Sequence, residues 1–525
     1  MKLLPRLFLL GLLTSGVRIE LHAAQFDLST ATIADINAAF DAGALTSEKL
    51  VQLYLARIDA YDQNGPTLNS IITLNSKALE TARSLDAERK AKGPRSPLHG
   101  IPILFKDVFD TYDMPTTGGF KPMATSQPSR DSFIVDRLRK AGAIVLGKLN
   151  QSDWYGLPSI KSASTLKGNV LSPYNPKKFP GGSSTGTGVS MAAWFATVGF
   201  GSDTSGSVVI PTAHNGLVCI AASHGLVSRT GMMWSSPSQE NSGVMGRTVY
   251  DCAAVLDIIA GYDAADLSTQ ASLGKIPDQP YASFVAKNAL KGARLGVLRE
   301  FFRTGQKHAE GNALAEKAIA DFKAAGAIVI DPALTGLAFN NPDTIMNADG
   351  SDYERAAATN KYLAGLPATA PIRTVDEMIA KGGDLVKPVI KNSAKIPSLD
   401  RSKELIAALK QQEILRNALV GMMERYQLDA IILPFETAQI EDYPVPNTGK
   451  LDPERNAIAS FTGLPTLLVP GGFFPSDGMP FSIQFLGRPF AEPVLIKLAA
   501  SYEATTHHRQ APALTPPLPG EKFDY

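Results

Sequence analysis

Phe179-Pro-Gly-Gly-Ser-Ser-Thr-Gly-Thr-Gly188 is followed, after the apolar segment 189–198, by Gly201-Ser-Asp-Thr-Ser-Gly-Ser-Val-Val-Ile-Pro211. Two hydroxyl-rich turns joined by one short buried helix gather backbone N–H groups and serine oxygens into a small space. Those are the materials of an acyl-transfer site: a nucleophile, a proton path and donors for an oxyanion. Upstream, the apolar run Gly100-Ile-Pro-Ile-Leu-Phe105 ends in Lys106. A lysine at such a position is drawn out of bulk water, and desolvation lowers its pKa toward what a general base requires. Taken singly, each feature has an ordinary reading. Lys106 pairs with Asp107 or caps a sheet edge, and the turn around Ser183 and Ser184 is a plain turn or a phosphate cradle. It lacks the Lys-Ser/Thr ending of a P-loop. The turn ending at Ser207 forms an anion nest at most.

Outward from these turns the chain alternates between two periods. Thr32–Phe40 and Thr46–Ile58 place apolar residues three and four apart, with Thr46 or Ser47 as N-cap. Strands are expected at Ser70–Leu74, Ile101–Phe105, Ala143–Gly147, Arg294–Leu298, Ala327–Ile330, Ala430–Pro434, Thr466–Gly472 and Phe481–Gly487. Helices are expected at Ser76–Lys90, Asp131–Gly142, Ala313–Gly326, Lys403–Tyr426 and Glu492–Thr505. Continuous apolar strands between helices predict an α/β fold, with a large, mixed, mostly parallel central sheet covered by helices on both faces. No composition shift or long linker divides residues 25–525, which read as one domain. Within it, about residues 264–400 form a variable helical covering region.

The chain has 525 residues, a net charge of +1 and 44% hydrophobic residues, so it has material for a large core and no electrostatic case for a nucleic-acid partner. Cys219 and Cys252 are its two cysteines, too few for a disulfide framework, and Cys219 lies in a run that reads as buried strand. Met1-Lys-Leu-Leu-Pro-Arg6, the apolar Leu7–Leu13 and the small Ala23-Ala24 resemble a secretory signal peptide over residues 1–24. The expectation is a periplasmic or secreted protein, or a cytoplasmic one if the leader is not cleaved. No other apolar run reaches the roughly 18 residues of a membrane span. The sequence leaves the oligomeric state open.

Gly182-Ser-Ser-Thr-Gly186 also satisfies Gly-x-Ser-x-Gly, which would make Ser184 the nucleophile of an α/β-hydrolase-type esterase. That motif needs a strand immediately before it, and Pro173-Tyr-Asn-Pro-Lys-Lys-Phe-Pro180 cannot be a central strand. It also needs a downstream histidine, for which His507-His508 is the candidate.

The Gly-Gly-Ser-Ser turn, the small-residue helix and the Asp-Thr-x-Gly-Ser turn, with Ser183 and Ser207 24 positions apart, resemble the amidase signature family of serine hydrolases. The likeness extends to Leu98-His-Gly-Ile-Pro-x-x-x-Lys-Asp107, Gly142-Ala-x-x-Leu-Gly-Lys148, Arg247-Thr-Val-x-Asp251, Gly463-Leu-Pro465 and Glu503-x-x-Thr-His-His508. It implies the amidase signature fold and hydrolysis of a linear amide, anilide or carbamate of a small-molecule substrate. The implied machinery is a Ser-Ser-Lys triad. Ser207 is the nucleophile that forms an acyl-enzyme, and Ser183, on a cis peptide, relays the proton to neutral Lys106. Backbone N–H groups of Thr204, Ser205, Gly206 and Ser207 hold the oxyanion. No metal or organic cofactor is implied. The leader disfavours the family's tRNA-linked amidotransferase role. Three positions depart from the family pattern: Ser205 for glycine, Val209 for arginine and Ala221-Ala222 for Lys-Pro. An inactive ligand-binding relative is the alternative of a different class. Pocket residues are expected from Met114–Phe120, from Trp154-Tyr155 and from the covering region.

Overall fold

The computed structural model describes residues 24–152, 161–339, 341–396, 402–445 and 457–525; the leader and Trp154-Tyr155 lie outside them. In chain order the strands are β1 (Gln25–Asp27), β2 (Ile71–Leu74), β3 (Pro102–Lys106), β4 (Ile144–Leu149), β5 (Ala163–Ser164), β6 (Gly168–Asn169), β7 (Val198–Asp203) and β8 (Val218–Ala221). They continue with β9 (Asn241–Gly246), β10 (Arg294–Val297), β11 (Ile328–Ile330), β12 (Ala430–Pro434), β13 (Thr466–Phe473), β14 (Pro480–Leu486) and β15 (Lys522–Asp524). Eleven of them make one sheet in the order β11-β10-β12-β14-β13-β8-β9-β7-β3-β4-β2.

The α/β architecture and the mixed sheet follow the sequence reading, but parallel pairing does not predominate. β3 lies parallel to β4 and β7, and β10 lies parallel to β11 and β12. The other six ladders of the sheet are antiparallel. The apolar continuity of β3, β4 and β12 reports burial on both faces, and burial says nothing about strand direction. The short link from β13 to β14 permits only a hairpin, since a parallel return needs a crossover of a dozen residues or more.

Small residues bring the two quoted turns together. All eight residues of the helix Thr185–Ala192 are buried. Gly199 and Gly201 share one face of β7, as a period of two requires, and that face meets this helix. A Cβ on Gly201 would lie 2.7 Å from Ser184 Oγ, and one on Gly199 3.0 Å from Thr187 Cγ2. On the other side, a Cβ on Gly186 would fall 2.3 Å from the carbonyl oxygens of Ser70 and Asn150. The glycines therefore set the depth at which the helix docks.

Cys219 and Cys252 are free and buried. Among the described residues no helix is long and apolar enough to cross a membrane. The larger apolar cluster runs from Phe26 to Tyr502. A second gathers Leu415, Leu419, Met422 and Met423 of the helix Lys403–Arg425 around Ile458, Ala459 and Phe461.

The C-terminal segment is tied to this body by Arg57, the last residue of the helix Ser47–Arg57. Its Nη1 donates to both carboxylate oxygens of Glu521, at 2.9 and 2.8 Å, and the two side chains are 0% and 1% exposed. Nη2 donates to Thr515 O at 2.9 Å, Nε to Ala193 O at 3.1 Å, and the guanidinium lies 3.9 Å from the Trp194 ring. Removing one partner leaves the other charge buried alone, which costs about 3–5 kcal/mol. Arg57→Met should therefore lower the thermal midpoint by several degrees in calorimetry. An unchanged midpoint would show that the pair contributes nothing.

Candidate active site

Lys106 closes β3, which runs between β4 and β7, and is 2% exposed. Its Nζ donates to Ser183 Oγ at 2.7 Å, to Ser202 Oγ at 3.0 Å and to Ser202 O at 3.4 Å. Burial lowers its pKa to about 8, against the opposing pull of the Glu240 and Asp203 carboxylates. The Lys106–Asp107 pairing considered from sequence is not what forms. Asp107 is instead 3.2 Å from Lys148 Nζ, with both side chains fully buried, and accepts from the N–H groups of Thr117 and Gly119. Lys148 is the lysine paired with a carboxylate, and Lys106 the one whose Nζ is held by Ser183 and Ser202.

Ser183 follows a cis peptide at Gly182–Ser183, and its carbonyl accepts from Ser152 N–H at 3.1 Å. The two turns are joined directly, because Ser184 N–H donates to Ser207 O at 3.2 Å. Ser183, Thr204, Ser205 and Ser207 are partly exposed where most of their neighbours are buried.

The turn carrying Ser207 is built on Asp203. One carboxylate oxygen accepts from Gly206 N–H at 2.7 Å, and the other from Val208 N–H at 2.8 Å and Val209 N–H at 3.4 Å. Gly206 has φ +99°, a conformation that favours glycine. Ser205 is not among the residues with positive φ, which is why serine is tolerated there. Val209 is buried in apolar surroundings, and Ala222 O accepts from the Asn241 side chain, so these departures sit in packing behind the turn.

Two sequence readings need correcting. Ser184 is fully buried, and its hydroxyl donates to Ser202 O at 3.2 Å while accepting from Ser202 N–H at 3.3 Å. No strand leads directly into it, and His508 sits 3.6 Å from Asp321. Ser184 holds the helix against β7 and is not an elbow nucleophile. The Gly206 N–H, expected in the oxyanion hole, is already bound to Asp203 and lies 3.1 Å from Ser460 Oγ. Thr204, Ser205 and Ser207 are the turn's remaining donors.

The structure adds residues that sequence reasoning missed. Glu240 is buried, accepts from Thr204 Oγ1 at 2.7 Å and is held above the ordinary carboxylate range by desolvation. Gln239 donates to Thr204 O at 3.0 Å and accepts from Gly350 N–H at 2.8 Å, joining the turn to the start of the helix Ser351–Ala364. That helix reaches the loop after β3, where Tyr362 donates to Asp110 at 2.7 Å. Ser202 and Asp203 stood inside the quoted stretch. Glu240 and Gln239 lie in a serine-rich loop with no periodicity to mark them.

The amidase family model matches residues 49–496. A probable amidase of Arabidopsis thaliana is 33% identical over 512 residues, covering 93% of each chain. A glutamyl-tRNA(Gln) amidotransferase subunit of Methylococcus capsulatus is 31% identical over 92% of this chain and 98% of its own. The native peptide amidase from Stenotrophomonas maltophilia is a structural neighbour at TM-score 0.80 and 32% identity, covering 92% of this chain and 99% of its own.

Proposed function

Because the chain belongs to the amidase family, we propose that it hydrolyses a linear amide-type C–N bond through an acyl-enzyme on Ser207. Ser183 passes the proton between Ser207 and Lys106. The observation that carries this reading is the 2.7 Å contact between Lys106 Nζ and Ser183 Oγ in a buried site. With Lys106 neutral, the Ser183 hydroxyl donates to its lone pair and can itself accept from the Ser207 hydroxyl. Ser207 Oγ attacks the carbonyl carbon as its proton moves to Ser183. The carbonyl oxygen becomes an oxyanion, held by N–H groups of the turn 204–207 other than Gly206. Collapse breaks the C–N bond, and the proton returns through Ser183 to the leaving nitrogen. Water then attacks the acyl-enzyme by the reverse path, freeing the acid. Proton delivery to nitrogen is what separates amide from ester cleavage, since amines leave poorly without it.

Peptide amides come first among the substrates to try, because the peptide amidase likeness covers nearly the whole chain; anilides and carbamates follow. The test is release of ammonia from C-terminally amidated peptides and of p-nitroaniline from short acyl anilides. Turnover by the chain alone is expected. Turnover only with added partner proteins would favour the amidotransferase reading. Silence toward every amide and ester would favour the ligand-binding one. Export of the protein, periplasmic or secreted, is proposed from the leader in residues 1–24; an uncleaved N-terminus in N-terminal sequencing of the expressed protein would contradict it.

A further inference from the structure

We propose that Ser460 is a positioning residue for the nucleophile's turn, acting through the Asp203 carboxylate; the inference rests on Ser207 being the nucleophile. Ser460 lies inside the short helix Ile458–Thr462. A serine or threonine there commonly bonds back to the carbonyl four residues earlier. Thr462 does so, with Oγ1 donating to Ile458 O at 2.6 Å. The Ser460 hydroxyl is turned elsewhere: it donates to Asp203 Oδ1 at 2.5 Å, 257 residues away, and accepts from Gly206 N–H at 3.1 Å.

The other partners of the Asp203 carboxylate are the N–H groups of residues 206, 208 and 209, all within the turn itself. Those bonds shape the turn around Ser207 but do not place it in the molecule. Among the described residues, Ser460 is the bond that ties this carboxylate to a distant element. The element is firm, because Ile458, Ala459 and Phe461 are packed into the second apolar cluster against the helix Lys403–Arg425. Gln239 holds the turn separately, through Thr204 O. Losing Ser460 therefore loosens the turn without releasing it, and the effect falls on chemistry more than on folding. Displacement of a reacting group by about 1 Å is enough to lower a rate by about a hundredfold.

The test compares Ser460→Ala, Ser460→Cys and Ser460→Thr in steady-state hydrolysis, in melting temperature and in the rate of labelling by a fluorophosphonate. Alanine and the weakly donating cysteine should lower kcat and the labelling rate by roughly 10–100-fold, with KM and melting temperature little changed. Threonine, which keeps the hydroxyl, should restore most of both. The proposal is overturned if alanine or cysteine reacts at the wild-type rate, if KM alone moves, or if threonine is as slow as alanine. If the wild type takes no label on Ser207, the nucleophile assignment fails first and the inference falls with it.

Discussion

Ser207→Ala should lower kcat/KM for amide hydrolysis by at least about 10⁴-fold, a loss on the scale seen when the nucleophile of a serine hydrolase is removed. The size follows from what else the site offers. Ser183 is occupied with Lys106, 2.7 Å away, and Ser184 is buried with its hydroxyl spent on β7. Neither can replace an oxygen whose flanking N–H groups are bound to Asp203. The check is steady-state kinetics with protein shown to be folded by its melting curve. A variant keeping even a tenth of the activity would mean that another group attacks.

The second large effect is at Lys106. Lys106→Ala should lower amide hydrolysis by about 10³–10⁴-fold, because the base and the acid for both half-reactions are lost together. Esters should lose less, since an alkoxide leaves without prior protonation. The wild-type pH profile carries the same signature. The base works only when neutral, so log kcat/KM should rise with pH up to about 8, the value to which burial lowers this lysine, and level off above it. At pH 7 roughly a tenth of such a lysine is neutral, against roughly one part in 3,000 for a lysine at its ordinary pKa. A profile flat from pH 6 to 9, or an active Lys106→Ala, would remove lysine from the mechanism.

What the sequence made legible was local. The strand ending in Lys106, the Gly-Gly-Ser-Ser turn and the Asp203 turn are each contiguous, and their glycines and apolar runs state their backbone needs directly. The direction of neighbouring strands was not legible, because an apolar run such as β8 is what burial demands whichever way it runs, and β7 and β9, rich in Gly, Ser and Asn, carry no strand pattern at all. The long-range partners were equally hidden. Ser460 reaches Asp203 across 257 positions and Gln239 joins Thr204 to Gly350, and neither side chain differs in its local setting from a surface residue. The Gly206 N–H was misassigned for the same reason, since its partners, the Asp203 carboxylate and Ser460, show only once the turn is folded. Ser205 gave the reverse lesson: a residue that looked foreign to the turn fits because its φ is not positive.

The most direct test is to react the intact protein with a fluorophosphonate, digest it and locate the adduct by mass spectrometry. A single adduct on Ser207, absent in Ser207→Ala and much slower in Lys106→Ala, is the predicted result. An adduct on Ser183 or Ser184, or amide turnover that continues with no serine modified, would contradict the assignment of Ser207, Ser183 and Lys106.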